Sequence, residues 1–316
     1  MNSSYLRVND LTELQERIPT YLAIGVFDGV HRGHQHLLQK MVAAGRERGF
    51  RPAVLTFFPH PVTVIRDLSG RLYVTSLEER VKLLAEQGIE LIIVHPFNET
   101  IRHLRAADFV QRLDASLDLR GLWAGHFSLG YQREGDAPFL THLGKEMGFT
   151  VHEMTDLVMV NGERMSSSRI RAALSRGDIA DVNLGLGRRF CLTGRVVRND
   201  QLGRTIGFPT ANLAIWDQLL IPANGVYATY AWLNQQRYHA ATNIGVRPTV
   251  DGRRLTVEAH LLDFATDIYG QELRLEFVSR IRDERKFSGV DELKAQIVAD
   301  VATVRRILAA LPLSTA

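Results

Sequence analysis

The sequence predicts an α/β protein in which a doubly wound parallel sheet precedes a small antiparallel β-barrel and a terminal helix. Strand-like apolar runs alternate with helix-like segments from residue 21 to about 154, and repeated βα units favour a parallel sheet with helices on both faces. After residue 186, short alternating segments separated by Gly and Pro turns predict antiparallel strands. A single apolar stripe then predicts a last helix over about 289–311.

In the first half, short apolar runs predict strands at 21–26, 51–57, 91–94, 121–124 and 150–154. Apolar residues at helical spacing predict helices at 37–49, 76–88, 106–115 and 139–147. The second of these helices has a capping box, because Ser76 can cap its first turn while Glu79 reaches back. Gly49 and Gly88 are suitable end signals for the first two helices.

The second half contains five segments with strand character: CLTGRVV, GVYATYAWL, YHAATNIGV, LTVEAHLLDF and ELRLEFV. No internal repeat or low-complexity tract interrupts them. The change of pattern predicts two domains, 1–184 and 185–316, with the border near 184–188.

Composition excludes several classes of protein. Of the 316 residues, 45% are hydrophobic and 23% charged, as in ordinary globular proteins. The net charge of +3 comes without any run of Lys or Arg, so no nucleic-acid partner is expected. Cys191 is the only cysteine, which excludes an intrachain disulfide. The first residues lack the pattern of a signal peptide and no stretch suits a membrane span, so we expect a cytoplasmic protein.

The densest motif, GVFDGVHRGHQHLL (25–38), lies where the first strand gives way to the first helix. Ligands bind at the carboxyl ends of strands in open α/β sheets, and a helix N-terminus offers free N–H groups to phosphate. Gly25, Gly29 and Gly33 would let the backbone approach an anion closely. His31 and His34 could donate hydrogen bonds or positive charge to phosphate oxygens.

Two other interpretations of this motif stay open at the sequence level. The segment could be a structural turn in which two surface histidines cap a helix. His31, His34 and His36 could instead bind a metal ion, since residues three apart share a helix face. No HExxH pattern supports the metal site, and the glycines suit a phosphate-binding turn better.

A second constellation lies in the segment 194–213 and on a later strand. Gly203 and Gly207 free the backbone to wrap a phosphate, although no GxxxxGK[ST] loop is present. Thr210 and Asn212 lie two apart in an extended stretch, so both side-chain oxygens can converge on one Mg²⁺. Glu258 is on the polar side of its strand and could accept the proton of an attacking hydroxyl. An exposed strand carboxylate is otherwise an ordinary surface residue.

The first motif is similar to the HxGH signature of nucleotidyltransferases, in the form FDGVHRGH found in bacterial FAD synthetases. The segment MSSSRIR (165–171) resembles the Ser/Arg-rich motif of the same family. This resemblance implies a nucleotidyltransferase-like fold, with phosphate charge stabilised by His31, His34 and Arg169. It implies nucleotide or phosphate contacts at Gly25, Phe27, Asp28, Gly29, Gly33, Ser167 and Ser168, and a flavin contact at His126.

The chain departs from this family at three positions. The family usually has an acidic residue where Phe58 stands, a glycine where Ala124 stands, and Asp or Asn where His126 stands. The third change replaces an acceptor with a donor or cation near the expected adenylyl site.

The second half resembles the riboflavin kinase family through GRTIGFPTAN, GVY, NIGVRPT, VEAHLLDF and IRDERKF, which occur in family order. The resemblance implies a six-stranded barrel in which Thr210 and Asn212 hold Mg²⁺ and Glu258 is the base acting on the ribityl 5′-hydroxyl. It also implies phosphate or nucleotide contacts at Gly203, Arg204, Gly207 and Tyr227, and flavin contacts at Arg282, Lys286 and Phe287. Tyr227, Phe287 and Trp232 could stack on a ring or belong to the core.

Together the two resemblances imply a bifunctional enzyme that uses Mg²⁺ and ATP to convert riboflavin to FMN and then to FAD. One alternative is a riboflavin kinase whose first domain only binds nucleotide. Another is a flavin-binding module without turnover, which would need neither the Mg²⁺ ligands nor the base. The expected partners are therefore the small molecules riboflavin, FMN and ATP.

Overall fold

The computed structural model describes residues 5–156, 158–198, 202–249 and 252–310. The side chains of residues 202, 204, 247–249 and 252–254 are outside this description. The chain forms two compact units, Met1–Ser167 and Ser168–Ala316. None of the described helices is long and apolar enough to cross a bilayer.

The first unit contains a parallel sheet of six strands in the order β1-β4-β3-β2-β5-β6. Its strands are β1 (Leu6–Val8), β2 (Thr20–Ile24), β3 (Arg51–Phe58), β4 (Leu91–Pro96), β5 (Leu119–Ala124) and β6 (Thr150–Glu153). Its helices are α1 (Arg32–Arg48), α2 (Pro61–Arg66), α3 (Leu77–Glu86), α4 (Glu99–Arg102), α5 (Ala106–Leu117) and α6 (Ala137–Met147). A two-stranded hairpin of β7 (Met159–Val160) and β8 (Glu163–Arg164) follows. The predicted doubly wound parallel sheet is confirmed.

Side chains that alternate along the strands build an apolar layer on each face of the sheet. On β2, Leu22 and Ile24 belong to one layer together with Phe109 of α5. Tyr21 and Ala23 belong to the other layer, together with Met41 of α1 and others. The near-continuous burial of the central strands follows from helices covering both faces.

Two predicted helix boundaries are confirmed in detail. Ser76 caps α3, and its hydroxyl accepts a hydrogen bond from the backbone N–H of Glu79 at 3.2 Å. Gly49 ends α1 in the left-handed conformation, with φ 71°. The start of α1 was predicted too late: the helix begins at Arg32, because its first turn is polar and adds nothing to the apolar periodicity.

The second unit begins with two helices that the pattern did not predict, α7 (Ser167–Arg176) and α8 (Ile179–Leu186). The unit boundary lies before α7 is complete, whereas the sequence predicted a border near 184–188. The rest of the unit is a closed antiparallel barrel in the order β10-β13-β12-β11-β14-β9. Its strands are β9 (Phe190–Val197), β10 (Ala211–Ala214), β11 (Gly225–Leu233), β12 (Gln236–Thr249), β13 (Gly252–Leu261) and β14 (Glu272–Arg282).

A short helix α9 (Leu202–Thr205) lies between β9 and β10, and the long helix α10 (Val290–Ala309) ends the described chain. Val304 and Leu308 of α10 are buried in a cluster with Ala228 and Tyr230 of β11. The Tyr230 hydroxyl also donates to the carbonyl of Leu308 at 3.2 Å. The predicted six-stranded barrel with a terminal helix is therefore confirmed.

Candidate active sites

In the first unit, the predicted motif residues meet in a cavity of about 320 Å³ beyond the carboxyl end of β2. Most of the residues predicted to bind nucleotide line this cavity: Gly25, Phe27, His31, Gly33, His34 and Ser167. The turn that precedes α1 contains three left-handed residues, Phe27 with φ 51°, Gly29 with φ 83° and Val30 with φ 38°. Only glycine adopts this conformation without strain, so the turn has to be held by its surroundings.

His31 caps helix α1 with its own ring. Its Nδ1 accepts hydrogen bonds from the backbone N–H groups of Gly33 at 3.1 Å and His34 at 3.3 Å. An Nδ1 that accepts carries no proton, so the proton of this imidazole is on Nε2. The structural interpretation of the motif as a histidine-capped turn is therefore true of His31, and the cap leaves Nε2–H as the ring's remaining donor.

His34 stacks on His31 with ring centroids 3.7 Å apart and an interplanar angle of 17°. Its ring also meets Phe27 edge to face at 5.2 Å. Among the described residues, no group of three His, Cys, Asp or Glu side chains could hold a metal ion. The metal interpretation also conflicts with the cap, since Nδ1 of His31 is already used by the helix.

Asp28 is almost fully buried and is not among the residues lining this cavity. Its carboxylate accepts from the backbone N–H groups of Val74 at 2.9 Å and Thr75 at 3.2 Å. Gly29 donates its N–H to the Thr75 hydroxyl at 3.2 Å. The side chain of Asp28 thus fixes the turn to the segment that precedes α3, and motif comparison alone does not reveal this role.

The Ser/Arg-rich motif spans the boundary between the two units. Ser167 lines the cavity and donates its hydroxyl to the carbonyl of Asp28 at 3.0 Å. Ser168 is exposed. Arg169, in the second unit, forms a bidentate pair with Asp181 of α8, including a bond from Nε at 3.1 Å. A guanidinium bound in this way is already neutralised by a carboxylate, and its predicted role as a phosphate clamp remains a prediction.

A second cavity in the first unit has a volume of about 620 Å³ and largely apolar walls. Phe57, Phe97 and Phe109 are among its apolar residues, and the arginines Arg102 and Arg133 also line it. Pattern analysis missed these residues, because they come from a strand, loops and helices that only the fold brings together.

His126 lines both cavities of the first unit. Its Nδ1 is 2.9 Å from Oε1 of Glu153, and the same oxygen accepts the N–H of Phe127 at 3.0 Å. Ala124, the second departure from the family pattern, is buried and lines the larger cavity. Phe58, the first departure, packs its ring 5.7 Å from Tyr73 and lines neither cavity.

In the second unit, a cavity of about 300 Å³ contains several predicted residues: Gly203, Thr210, Glu258, Arg282 and Phe287. Glu258 is 8% exposed, and its Oε2 accepts from the Thr210 hydroxyl at 3.5 Å. Its strand β13 pairs with β10 and β12, so Asn212 and Asn243 are its register partners. The structure therefore gives Glu258 a sheltered polar position beside Thr210, unlike that of a surface carboxylate.

Thr210 also lines a second pocket of the same unit, with a volume of about 260 Å³. This pocket is formed by Pro209, Ala259 and the segment after β13 that includes Phe264 and Tyr269. Two cavities thus meet at Thr210, next to the buried carboxylate. Asn212 is half-buried and lines neither of them.

The segment after β14 covers part of the barrel cavity. Arg282 forms a bidentate pair with the buried Asp300 of α10, with Nε–Oδ1 at 3.0 Å and Nη2–Oδ2 at 2.7 Å. The guanidiniums of Arg285 and Arg282 lie 4.7 and 5.8 Å from the ring centre of Phe287. Lys286 is exposed and does not line the cavity, whereas its neighbour Arg285 does.

Of the aromatic candidates, Tyr227 is buried and Trp232 is half-buried. Tyr227 has no exposed surface; its hydroxyl donates to the carbonyl of Ala223, and its ring meets Phe277 edge to face at 5.3 Å. Burial raises the pKa of Tyr227 to about 12. Trp232 lines neither cavity of this unit. Of the three, only Phe287 lines the barrel cavity.

The structure describes only some of the residues in the predicted phosphate-binding loop, 203–207. Gly207 has φ 89°, a conformation that favours glycine. A Cβ on Gly203 would come within 2.4 Å of the Phe208 carbonyl oxygen, so a larger residue does not fit there. The side chain of Arg204 lies outside the described residues, as does Asn199.

Comparison with known proteins identifies a family for each part of the chain. A family model for FAD synthetase matches residues 13–169, and one for riboflavin kinase matches residues 186–308. The bifunctional riboflavin kinase/FMN adenylyltransferase of Escherichia coli K12 is 40% identical over 90% of this chain and 91% of its own length. That of Bacillus subtilis is 35% identical over 90% and 92%.

Solved structures also resemble this chain, and one of them does so over nearly its full length. A crystal structure from Streptococcus pneumoniae, described as a macrolide-efflux protein, is 28% identical to this chain with a TM-score of 0.86. The match covers 95% of this chain and 98% of the streptococcal chain. Sequence identity over nearly the full length and the matches to both family models lead to one conclusion: this chain belongs to the bifunctional riboflavin kinase/FMN adenylyltransferase family.

Proposed function

We propose that this chain phosphorylates riboflavin to FMN in its barrel unit and then transfers an adenylyl group from ATP to FMN in its first unit, giving FAD and pyrophosphate. The proposal is carried by one observation: Glu258, a sheltered carboxylate, lies beside Thr210 at the point where two cavities of the barrel meet. The match to both family models favours two activities over a riboflavin kinase with a degenerate first domain. It also favours an enzyme over a flavin-binding module.

For the kinase reaction, we assign riboflavin to the barrel cavity beside Phe287 and the nucleotide to the pocket beside Phe264 and Tyr269. The γ-phosphoryl group would then pass from one ligand to the other close to Thr210. Glu258 accepts the proton of the ribityl 5′-hydroxyl as its oxygen attacks the γ-phosphorus. The bond from that phosphorus to the bridging oxygen of ADP breaks in the same displacement, so catalysis depends mainly on alignment.

The residues near Glu258 suit Mg²⁺. The Thr210 hydroxyl lies 3.5 Å from the carboxylate, and the Asn212 amide oxygen comes from the strand position paired with Glu258. These are oxygen donors, few in number, as expected for an ion that takes much of its coordination from phosphate and water. Mg²⁺ bound there would neutralise charge on the phosphates of ATP.

For adenylyl transfer, we assign the ATP phosphates to the N-terminus of α1, where the positive end of the helix dipole favours an anion. Nε2–H of His31 is the donor aimed at charge that develops on the α-phosphate. Ser167 lines the same cavity, where its hydroxyl donates to the carbonyl of Asp28 and so helps to hold the turn. A phosphate oxygen of FMN attacks the α-phosphorus, and the bond to pyrophosphate breaks, so no covalent enzyme intermediate is required.

We assign FMN to the larger cavity of the first unit, whose apolar walls suit an isoalloxazine ring. Arg102 and Arg133 give that cavity two positive charges. His126 belongs to both cavities of this unit, so it would lie where the FMN phosphate meets the nucleotide. The hydrogen bond between Nδ1 and Glu153 leaves Nε2 for that contact.

Other parts of the sequence prediction stand as proposals with less support. They are the roles of Ser168, Arg169, Arg204, Gly207 and Lys286, the nucleotide role of Tyr227, the domain border at 184/185, and a cytoplasmic location. Burial of Tyr227 favours a structural role for that ring. Arg285 lines the cavity and Lys286 does not, which favours Arg285 as the flavin-facing cation of the same segment.

Incubation of the purified protein with riboflavin, ATP and Mg²⁺, followed by chromatography of the flavins, tests this function. We expect FMN to appear first and FAD to follow. FMN without FAD would leave only the kinase assignment, and would make His126 and Phe58 the first residues to restore to the family type. Neither product from folded protein would remove the enzymatic assignment.

A further inference from the structure

A buried arginine joins the ends of two strands beneath the turn that carries His31. Arg80 of α3 has no exposed surface. Its Nη1 lies 3.0 Å from the carbonyl oxygen of Val26, just after β2, and 3.4 Å from that of Phe57, near the end of β3. It also lies 3.3 Å from the hydroxyl of Thr56, which itself donates to Val26 at 2.8 Å.

The segment that leads into α3 also binds the turn 26–30. Just before α3, the backbone N–H groups of Val74 and Thr75 donate to Asp28, and the Thr75 hydroxyl accepts from Gly29. The segment 73–80 therefore contacts the turn through backbone groups, a hydroxyl and a guanidinium, all of them sheltered from water. Hydrogen bonds in such an environment are stronger and more directional than at a surface.

This turn requires support. Phe27 and Val30 have φ values of 51° and 38°, and residues with a Cβ keep such values only where the surrounding structure imposes them. His31, whose Nε2–H is the proposed donor to the nucleotide, follows immediately. A small relaxation of the turn would therefore move that donor.

Stability alone does not account for a charged side chain at this position. Burial of a guanidinium costs free energy, and an apolar side chain of similar volume often stabilises a core as well or better. What an apolar side chain cannot do is bind two backbone carbonyls and a hydroxyl at fixed positions. The functional advantage of Arg80 is therefore the geometry that it imposes on Val26 and Phe57.

We propose that Arg80 is a positioning residue for adenylyl transfer: with Asp28 and Thr75, it holds the turn 26–30 so that His31 meets the nucleotide in the reactive geometry. This inference rests on the proposed adenylyl transfer. Arg80 acts through the turn and does not itself line the cavity.

The test compares Arg80→Met and Arg80→Lys in the full-length protein, with FMN and ATP as substrates. Arg51→Met is the control, because Arg51 lies at the start of β3, the strand whose far end Arg80 contacts; its side chain is half-buried, whereas that of Arg80 is fully buried. Burial lowers the pKa of Arg51, so its charge too is partly desolvated. Thermal unfolding and active-chain titration are measured for every variant, and kcat is expressed per folded chain.

We expect Arg80→Met to lower kcat for FAD formation by about 10- to 100-fold, the size of effect that a misplacement on the order of 1 Å produces. The KM for ATP should change much less, and riboflavin phosphorylation should be retained. Arg80→Lys should recover part of kcat, since its ammonium has donors for the same oxygens but ends one atom short of the position of Nη1. Arg51→Met should affect unfolding only.

If Arg80→Met does not fold, Thr56→Val tests the inference instead, because it removes only the hydroxyl that links Arg80 to Val26. It should lower kcat by a smaller factor, with little change in the KM for ATP. Unchanged kcat per folded chain in the folded variants, or an equal loss in Arg51→Met, would overturn the inference. Absence of FAD from the wild type would instead overturn the proposed function on which it rests.

Discussion

Replacement of Glu258 by glutamine changes charge and almost nothing else at the barrel site. The side chain is 8% exposed and keeps its shape in the variant, and its contact with Thr210 is a weak hydrogen bond at 3.5 Å. We therefore expect the unfolding free energy to change by less than about 1 kcal/mol. The kinase loses its base, which contributes about 100-fold or more to rate, or roughly 2.7 kcal/mol in the barrier.

The assay measures each reaction alone in the Glu258→Gln variant. FMN formation from riboflavin should fall at least about 100-fold in kcat. FAD formation from FMN should stay close to wild type. Glu276→Gln is the matched control, because Glu276 is a barrel carboxylate that pairs with Arg189 and Arg274 and does not line the cavity. Loss of both reactions in the folded Glu258→Gln protein, or an unchanged kinase rate, would refute the assignment of Glu258 as base.

Three further predictions follow from the described contacts. His31→Ala should abolish FAD formation and lower the free energy of unfolding by about 1 kcal/mol, because the helix cap is lost. His31→Asn should keep the cap and still abolish FAD formation. Unchanged FAD formation in these variants would contradict the role of Nε2–H. Asp300→Ala should raise the KM for riboflavin and lower the free energy of unfolding in urea by about 3 kcal/mol, because it leaves Arg282 without its buried partner. No change in either measurement would contradict this role of the Arg282–Asp300 pair. Burial raises the pKa of Tyr227 from 10.0 to about 12, so the folded chain keeps this phenol protonated at a pH where the unfolded chain ionises it. The contribution of Tyr227 to the free energy of unfolding should therefore be constant below pH 10 and decrease as pH rises from 10 to 12. Tyr227→Phe should remove this part of the pH dependence of stability.

The fold could be predicted because its elements have strong periodic signals. The continuous apolar run of β2 reflects burial on both faces of the sheet, the helical spacing in α1 reflects burial of one face, and Ser76 marks a helix start through local chemistry. Elements without such signals were missed. Strand β1 has only three residues, and helices α2 and α4 have six and four, too few to show a period.

The candidate sites could be predicted from the residues best where the chemistry is local in sequence. The residues around His31 and those around Thr210 are contiguous motifs; the first group lines one cavity together, and Thr210 lines both cavities of the barrel unit. Asp300 and Arg285 were missed because their importance depends on a partner distant in sequence or on the path of a loop. The buried position of Arg80 has the same explanation: no sequence pattern shows that a helix arginine reaches two strand ends.

The resemblance alone did not show the direction of two side chains, and their predicted ligand contacts remain predictions. Asp28 lies within the nucleotide motif, and its carboxylate binds the backbone before α3. The resemblance implied a flavin contact at Lys286, whereas its neighbour Arg285 lines the cavity. In a turn or loop, neighbouring residues point in different directions that depend on φ and ψ, and those angles cannot be read from residue type.

The central claim is that one chain has two separate active sites, and a mixing experiment tests it most directly. Glu258→Gln and His31→Asn are each incubated with riboflavin, ATP and Mg²⁺, alone and then together, and FAD is quantified by chromatography. The account predicts almost no FAD from either variant alone and restored FAD in the mixture, because one variant releases FMN and the other adenylylates it. FAD from His31→Asn alone, or a mixture that stays inactive although both variants are folded, would contradict the claim.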